Sequence, residues 1–329
     1  MTSAFPQIDG AEPHQVTILL LEQFAMIAFS STVEPLREAN WVAGRQHYAW
    51  KAVSHNGKPV RASNGLMLQV NGSIDDFPFS PVVIVCSSFN PHLYTTPPIL
   101  AWLRRQARRG SMIGAVETGA YVLARAGLLN GHRATIHWEN ANSFAGEFPQ
   151  VQLTDRLFEV DRRRFSASGA SAAMDMMLAM ISEQVSRKVA SGIADEFIYN
   201  RMRQAEVPQR IPVSDRLNAR NPRLRRLLHF LEKRLDDNIE VGEMADSEGV
   251  SEREIQRLFK AHVGVSPKAY HRKLRLQRAQ DLLRQTEMPI SEVASSCGFS
   301  SSADFSRAYR REFARRPSDD SGAAYLLDK

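Results

Sequence analysis

The chain has 329 residues, 43% of them hydrophobic, and a formal net charge of +6. That length suits two globular domains with cores of their own. With only Cys86 and Cys297 present, neither a disulfide framework nor a cysteine-based zinc site is expected, and the longest strongly apolar stretch, VTILLL, is far below the ~20 residues of a spanning helix. The opening MTSAFPQIDGAEPHQ lacks the basic-then-apolar pattern of a signal peptide. A cytoplasmic protein is therefore expected, with residues 1–13 as a disordered tail. The positive excess is concentrated toward the C-terminus, above all in YHRKLRLQRAQ (270–280), and permits a polyanionic partner.

In chain order, the first two hundred residues alternate strand-like and helix-like patterns. VTILLL (16–21), VVIVC (82–86) and SMIGAV (111–116) are solid β-rich runs, as strands covered on both faces require. Helical patterns fall over 27–43 and over 99–108, the latter with a basic exposed face. A further helix over 119–126 follows the third strand directly, and a long one rich in Ala and Met spans 170–199. The alternation predicts an α/β, flavodoxin-like parallel sheet between helices, occupying residues 14–200. Ligands of such sheets bind beyond the carboxyl ends of the strands. Ser87, Phe89 and Glu117 fall at such ends. Glu117 and Thr118 form an abrupt strand-to-helix turn, a place where many enzymes expose a nucleophile. Here the exposed group is a carboxylate.

Periodicity fades over 201–222, where three prolines and many polar residues predict an interdomain linker. Residues 223–329 then read as an all-α domain containing an internal repeat. Ala245, Gly249 and Ser251 match Ala294, Gly298 and Ser300 at an offset of 49. After one inserted residue, Ile255, Arg257, Phe259, Lys260 and Pro267 match Phe305, Arg307, Tyr309, Arg310 and Pro317 at an offset of 50. Each copy is a short helix, a turn with Gly, an apolar plug (Val250 or Phe299), a Ser N-cap and a second helix, which is the helix-turn-helix pattern. The second helices present Glu252, Arg253, Gln256 and Arg257 in one copy, and Ser301, Ser302, Asp304, Ser306 and Arg307 in the other. Together with Ser251, Lys260, Ser300 and Arg310 these are the candidate contacts to double-stranded DNA, because such side chains read base edges and phosphates in a major groove. Arg257 and Arg307 individually are open to two readings, phosphate anchor or solvated helix face. The basic helix over 267–287 would hold the two reading helices about one DNA turn apart.

The run SEREIQRLFKAHVGVSPKAYHRKLRLQRAQDLL followed by ISEVASSCGFSSSADFSRAYRREF resembles the DNA-binding domain of AraC-type transcription regulators, over about 95 residues. One departure is Ala314, where that family usually has Gly. The ending SDDSGAAYLLDK also departs from the family's aromatic and basic one. In the amino-terminal region, GAVETGAYVLARAGLLNGHRATIHW, EPLREAN (34–40) and FSASGASAAMDMMLAMI (165–181) resemble the PfpI-like, class I glutamine-amidotransferase-like fold, in the subgroup that joins it to an AraC-type domain.

Enzymes of that fold carry cysteine at the elbow, where this chain has Glu117. A thiolate attacks amides because sulfur is soft and partly ionised near neutral pH, and a carboxylate cannot replace it. Cys86 ends a different strand and reads as a small buried thiol. Glu117 has two readings: a ligand contact, or a cap on the following helix, where a carboxylate suits the dipole. With aromatic neighbours, the first predicts a small cationic or zwitterionic effector. Its expected lining is Glu117, Thr118, Phe89, Tyr94, Tyr121, His137 and Trp138, with Glu34 of the first helix as a further candidate. His137 either orients the ligand or packs at a strand end. The resemblance implies effectors such as amino acids, betaine or carnitine, a homodimer, RNA polymerase as partner, and activation of transcription. No cofactor or metal is expected. Two alternatives stand beside this reading: a PfpI-like hydrolase or amidase fused to a DNA-binding domain, and an architectural DNA binder.

Overall fold

The computed structural model describes residues 12–209, 221–237, 239–286 and 288–321. The expected tail (to residue 11), most of the expected linker (210–220) and the last residues (322–329) lie outside the described residues. The described residues divide into two compact units, 12–209 and 221–321.

The strands of the first unit are, in chain order, β1 (His14–Leu20), β2 (Tyr48–Ser54), β3 (Val60–Arg61), β4 (Met67–Leu68), β5 (Gly72–Ser73), β6 (Val82–Ser87), β7 (Met112–Glu117), β8 (Arg133–Ala134), β9 (Gln152–Leu153), β10 (Phe158–Asp161) and β11 (Arg164–Ala167). Seven of them form one sheet in the order β10-β11-β7-β6-β1-β2-β5, parallel throughout except for β10 against β11. The solid apolar runs have a direct cause. Val16, Ile18 and Leu20 of β1 enter one core layer and Leu19 the other, so both faces of the strand are buried. The helices are α1 (Met26–Ala43), α2 (Pro91–Tyr94), α3 (Pro97–Arg108), α4 (Gly119–Arg125), α5 (Ala141–Glu147), α6 (Ala170–Gln184) and α7 (Arg187–Glu196). Helices α1, α6 and α7 cover one face and α3, α4 and α5 the other. Connections leave β1 and β6 in opposite directions, so the switch in strand order lies between them, with the ends of β6 and β7 beside it.

Two expectations are corrected. The single helix over 170–199 is two, because Ser186 adopts an extended backbone and its side-chain oxygen accepts from Val189 N, starting a new helix at Arg187. Residues 201–209 are not free linker but a strap on the first unit. The Leu157 amide donates to Ala205 O. Arg203 donates from its backbone N and from Nε to the buried Asp175 carboxylate of α6, both at 2.8 Å, and Tyr199 Oη donates to Asp175 at 2.9 Å. At the strap's end, Gln209 Nε2 donates to Thr135 Oγ1, Ile136 O and Arg156 O. Polar, proline-containing composition looks like linker when its partners are distant in sequence.

The second unit is helical: α8 (Pro222–Lys233), α9 (Val241–Glu248), α10 (Glu252–His262), α11 (Pro267–Gln285), α12 (Ile290–Ser296), α13 (Ser302–Phe313) and α14 (Pro317–Asp320). It has two small cores, one under α8–α10 and one under α12–α13. The long α11 joins them, placing Tyr270 in the first and Leu276, Ala279 and Leu283 in the second. No helix of the described residues is long and apolar enough to cross a membrane.

The repeat is visible in three dimensions, with one shift of register. Ser251 Oγ accepts from Glu254 N, and its counterpart is Ser301, whose Oγ accepts from Asp304 N, rather than Ser300. The inserted residue therefore precedes the cap, in the turn, where Gly249 and Gly298 hold φ near +64 and +70. From the caps onward the offset is 50, and the two copies end alike. Gly264 follows α10 at φ +82, and Ala314 follows α13 at φ +56. A Cβ in the left-handed region costs roughly 1–2 kcal/mol. Ala314→Gly is accordingly expected to stabilise the chain by about 0.5–1 kcal/mol in denaturant unfolding, after the flexibility gained by the unfolded chain is offset. No gain in midpoint would refute the strain at this cap.

Candidate ligand site and nucleic-acid interface

The elbow is built by the end of β7. Glu117 sits at φ +58, a conformation that non-glycine residues hold only where the surroundings enforce it. Thr118, buried, donates from Oγ1 to Ser88 O at 2.5 Å, tying the elbow to the neighbouring strand end. The Glu117 carboxylate does not cap α4, the helix that follows it. It turns instead to the amino end of α6, where Oε1 accepts from Ala170 N at 3.3 Å. Gly169, at φ +154, makes room: a Cβ there would lie 2.6 Å from Glu117 Oε1. Beside Glu117 in the β6–β7 register is Ser87, whose Oγ is buried with no hydrogen-bond partner among the described residues. The SASG segment therefore marked a contact of the site as well as a helix start.

Burial raises the Glu117 carboxyl to about pH 7; the Ala170 amide opposes this and the nearby Glu139 carboxylate adds to it. Cys86, fully buried one residue before the end of β6, is pushed far up by burial and by the Glu117 charge, so it holds its proton and is a poor nucleophile. His137 Nδ1 lies 3.8 Å from Glu139 Oε2, and the His137 and Trp138 rings are 5.5 Å apart. Sequence reasoning missed Glu139, although it stands two residues beyond His137 in HWEN.

The expected lining separates into groups. Glu117 and Thr118 are adjacent at the elbow, and Glu139 links His137 electrostatically to Glu117. Phe89 is half-buried in the turn after β6, one residue beyond the Ser88 carbonyl that Thr118 engages. Tyr94 ends α2 near Glu22, at the carboxyl end of β1. Tyr121 points elsewhere. Its hydroxyl donates to Glu147 at 2.9 Å, Arg125 lies over its ring, and Phe148 packs edge-on against it. Those contacts direct the ring to the end of α5. Glu34 pairs with Arg37 at 2.7 Å and is nearly half exposed; no described contact brings it to the elbow.

In the second unit, Glu252, Arg253, Gln256, Arg257 and Lys260 of α10 are exposed, as are Ser300, Ser302, Arg307 and Arg310 in and around α13, while Ile255 and Phe259, or Phe305 and Tyr309, are buried beneath them. Three candidates already have local work. The Ser251 and Ser301 hydroxyls cap helices, and Asp304 accepts from Arg272 at 3.2 Å, with Arg307 3.8 Å away. Ser306 is half-buried. The basic run of α11 is also less available than its composition implies. Arg275 is buried, donates from Nε to Cys297 O at 2.6 Å and lies 4.5 Å over the Phe299 ring. His271, buried too, has Nε2 2.9 Å from Arg234 O. Arg275 thus fastens the second helix-turn-helix to α11, and His271 fastens α11 to the end of α8.

The Glu117 shift fixes a sign. A carboxyl that titrates near 7 in the fold and near 4.5 unfolded stabilises the protein below about pH 4.5, and that contribution is lost as pH rises through about 7. Glu117→Gln is expected to melt like the parent near pH 4.5 and to exceed its stability by on the order of 2 kcal/mol at pH 8. Parallel pH profiles of the two proteins would sink this assignment.

A model of the DJ-1/PfpI family matches residues 14–183, and a helix-turn-helix domain model matches residues 244–321. The HTH-type transcriptional regulator GbdR of Pseudomonas aeruginosa is 40% identical over 322 residues, covering 97% of this chain and 88% of that protein. The HTH-type transcriptional regulator CdhR of the same species is 37% identical over 305 residues, covering 92% and 90%. Among solved structures, an AraC family transcriptional regulator from Pseudomonas putida aligns with a TM-score of 0.52 at 28% identity, covering 56% of this chain and 100% of that one. The repeated, Ser-capped helices and the parallel-sheet unit with its elbow are thus parts of one known arrangement: the chain belongs to the AraC-type, DNA-binding transcription regulators that carry an amino-terminal DJ-1/PfpI domain.

Proposed function

We propose that the sheet unit holds a small cationic or zwitterionic metabolite at the elbow without transforming it, and that this binding sets how the chain acts on promoter DNA. The observation that carries the reading is Glu117. A buried carboxylate stands in the strained position where hydrolases of this fold need a thiol, and the one cysteine nearby is held protonated. An ammonium or quaternary amine would supply the countercharge that the carboxylate lacks, and ionising Glu117 would cost less with it bound. Thr118, Phe89, Tyr94, His137 and Trp138 would frame the ligand; Tyr121 and Glu34 have other partners and are left out.

Coupling would run through α6. Its first residue meets Glu117, and Asp175, further along, holds Tyr199 and Arg203 of the strap that leads toward the DNA-binding unit in sequence. A ligand that moves the amino end of α6 would change how firmly the strap is held; a coupling of ~1–3 kcal/mol suffices for regulation. The chain would act as a cytoplasmic homodimer and as an activator working with RNA polymerase, with Gln256, Arg253, Arg257, Arg307 and Arg310 reaching the duplex. In a thermal-shift screen of the full chain against betaine, carnitine, choline and arginine, one compound is expected to raise the melting temperature, and Glu117→Ala to abolish that rise. A rise retained in full by the variant would overturn the site. For the DNA unit, Gln256→Ala and Arg257→Ala are each expected to weaken binding to a duplex selected from a random pool by about 1–3 kcal/mol. Unaltered affinity in both would remove α10 from the interface.

A further inference from the structure

The amino ends of the parallel strands, on the opposite edge of the sheet from the elbow, carry an arginine surface that ligand sensing does not use. It comes from two sequence runs, RRQARR (104–109) closing α3 and DRRR (161–164) entering β11. The fold brings them together. Arg163 donates from Nη2 to Gly110 O, just past the first run. Arg104 donates from Nε to Ala126 O at 2.9 Å and Arg164 from Nε to Leu128 O at 3.1 Å, so both runs converge on one short segment. Arg109 donates from Nη1 to Pro78 O at 2.8 Å.

These guanidinium groups are fixed by neutral carbonyls. Among the described residues, none of Arg104, Arg105, Arg108, Arg109, Arg163 and Arg164 has a carboxylate within ion-pair distance, whereas Arg223, Arg226, Arg234, Arg272, Arg284, Arg307 and Arg315 of the second unit do. Arg104, Arg109, Arg163 and Arg164 are held by those carbonyls, and the charge of all six is left uncompensated. Arg105, Arg108 and Arg109 also line a cleft of about 440 Å³ beside Pro78 and Trp102, where Asp75 is the one opposing carboxylate. A cluster of unneutralised guanidinium groups, four of them fixed by carbonyls, fits a chain of phosphates, with which arginine forms bidentate bonds.

We propose that this edge of the sheet unit binds the phosphate backbone of duplex DNA, as a second, sequence-independent contact beside the helix-turn-helix motifs. DNA is favoured over an acidic protein because the chain already binds it. Gln209 and Asn221 are twelve residues apart, a span of at most about 40 Å when fully extended. A duplex held by the second unit is therefore presented to the first at roughly millimolar effective concentration.

The test uses the full chain and a random-sequence duplex, with affinity measured by fluorescence anisotropy across a salt series. Arg105→Gln/Arg108→Gln is the variant of choice, because neither side chain supports a carbonyl of the fold. Each lost phosphate contact lowers the slope of log affinity against log salt by about 0.9. The double variant is expected to reduce that slope by about 2 and to bind at least several-fold more weakly at low salt. Arg105→Lys/Arg108→Lys should keep the slope. An unchanged slope in the Gln variant overturns the proposal, as does an equal loss in the Lys variant, which would make the effect one of packing. Lost promoter activation with the slope intact would place an acidic protein on this surface and overturns it as well.

Discussion

A carboxylate removed from water has to be protonated, hydrogen-bonded or matched by a cation. Glu117 meets that constraint only in part. One amide of α6 reaches it, Glu139 repels it, and it titrates near neutrality as a result. The elbow backbone, the missing side chain at Gly169 and the Thr118 bridge to Ser88 all serve to hold this one group where it is. The strained turn from which related folds present a thiol is retained. What differs here is the group at its tip, a carboxylate that burial raises to about pH 7.

That placement gives α6 two jobs. Its first turn meets the elbow, and its buried Asp175 gathers Tyr199, Arg203 and the backbone of the strap. Breaking a buried ion pair of this kind typically costs 3–5 kcal/mol, and Met202, Ala205 and Val207 pack against the same core layer, so the strap is held firmly. In the second unit Arg272 and Arg275, which belong to the basic run of the sequence, fasten the second helix-turn-helix to α11.

Much was legible in the sequence because it depends on local pattern. Solid apolar runs gave β1, β6 and β7 and the parallel sheet, since strands buried on both faces cannot alternate. The 50-residue offset, the turn glycines and the buried spacing Ile255–Phe259 and Phe305–Tyr309 gave the paired helix-turn-helix, since a capped amphipathic helix follows from neighbours three and four residues apart. Glu117 at the end of a strand was likewise readable as the residue that departs from a thiol enzyme.

Only the tertiary structure decided where that carboxylate points. Capping α4 was the local choice, and the fold instead turned the carboxylate to the amino end of α6, more than fifty residues away in the chain. It also decided that residues 201–209 are strap rather than linker, that Tyr121 belongs to α5, and that two arginine runs form one surface. Each of these rests on a polar group meeting a partner distant in sequence. Such pairings leave no periodic trace, because a single hydrogen bond or ion pair constrains two positions and nothing in between.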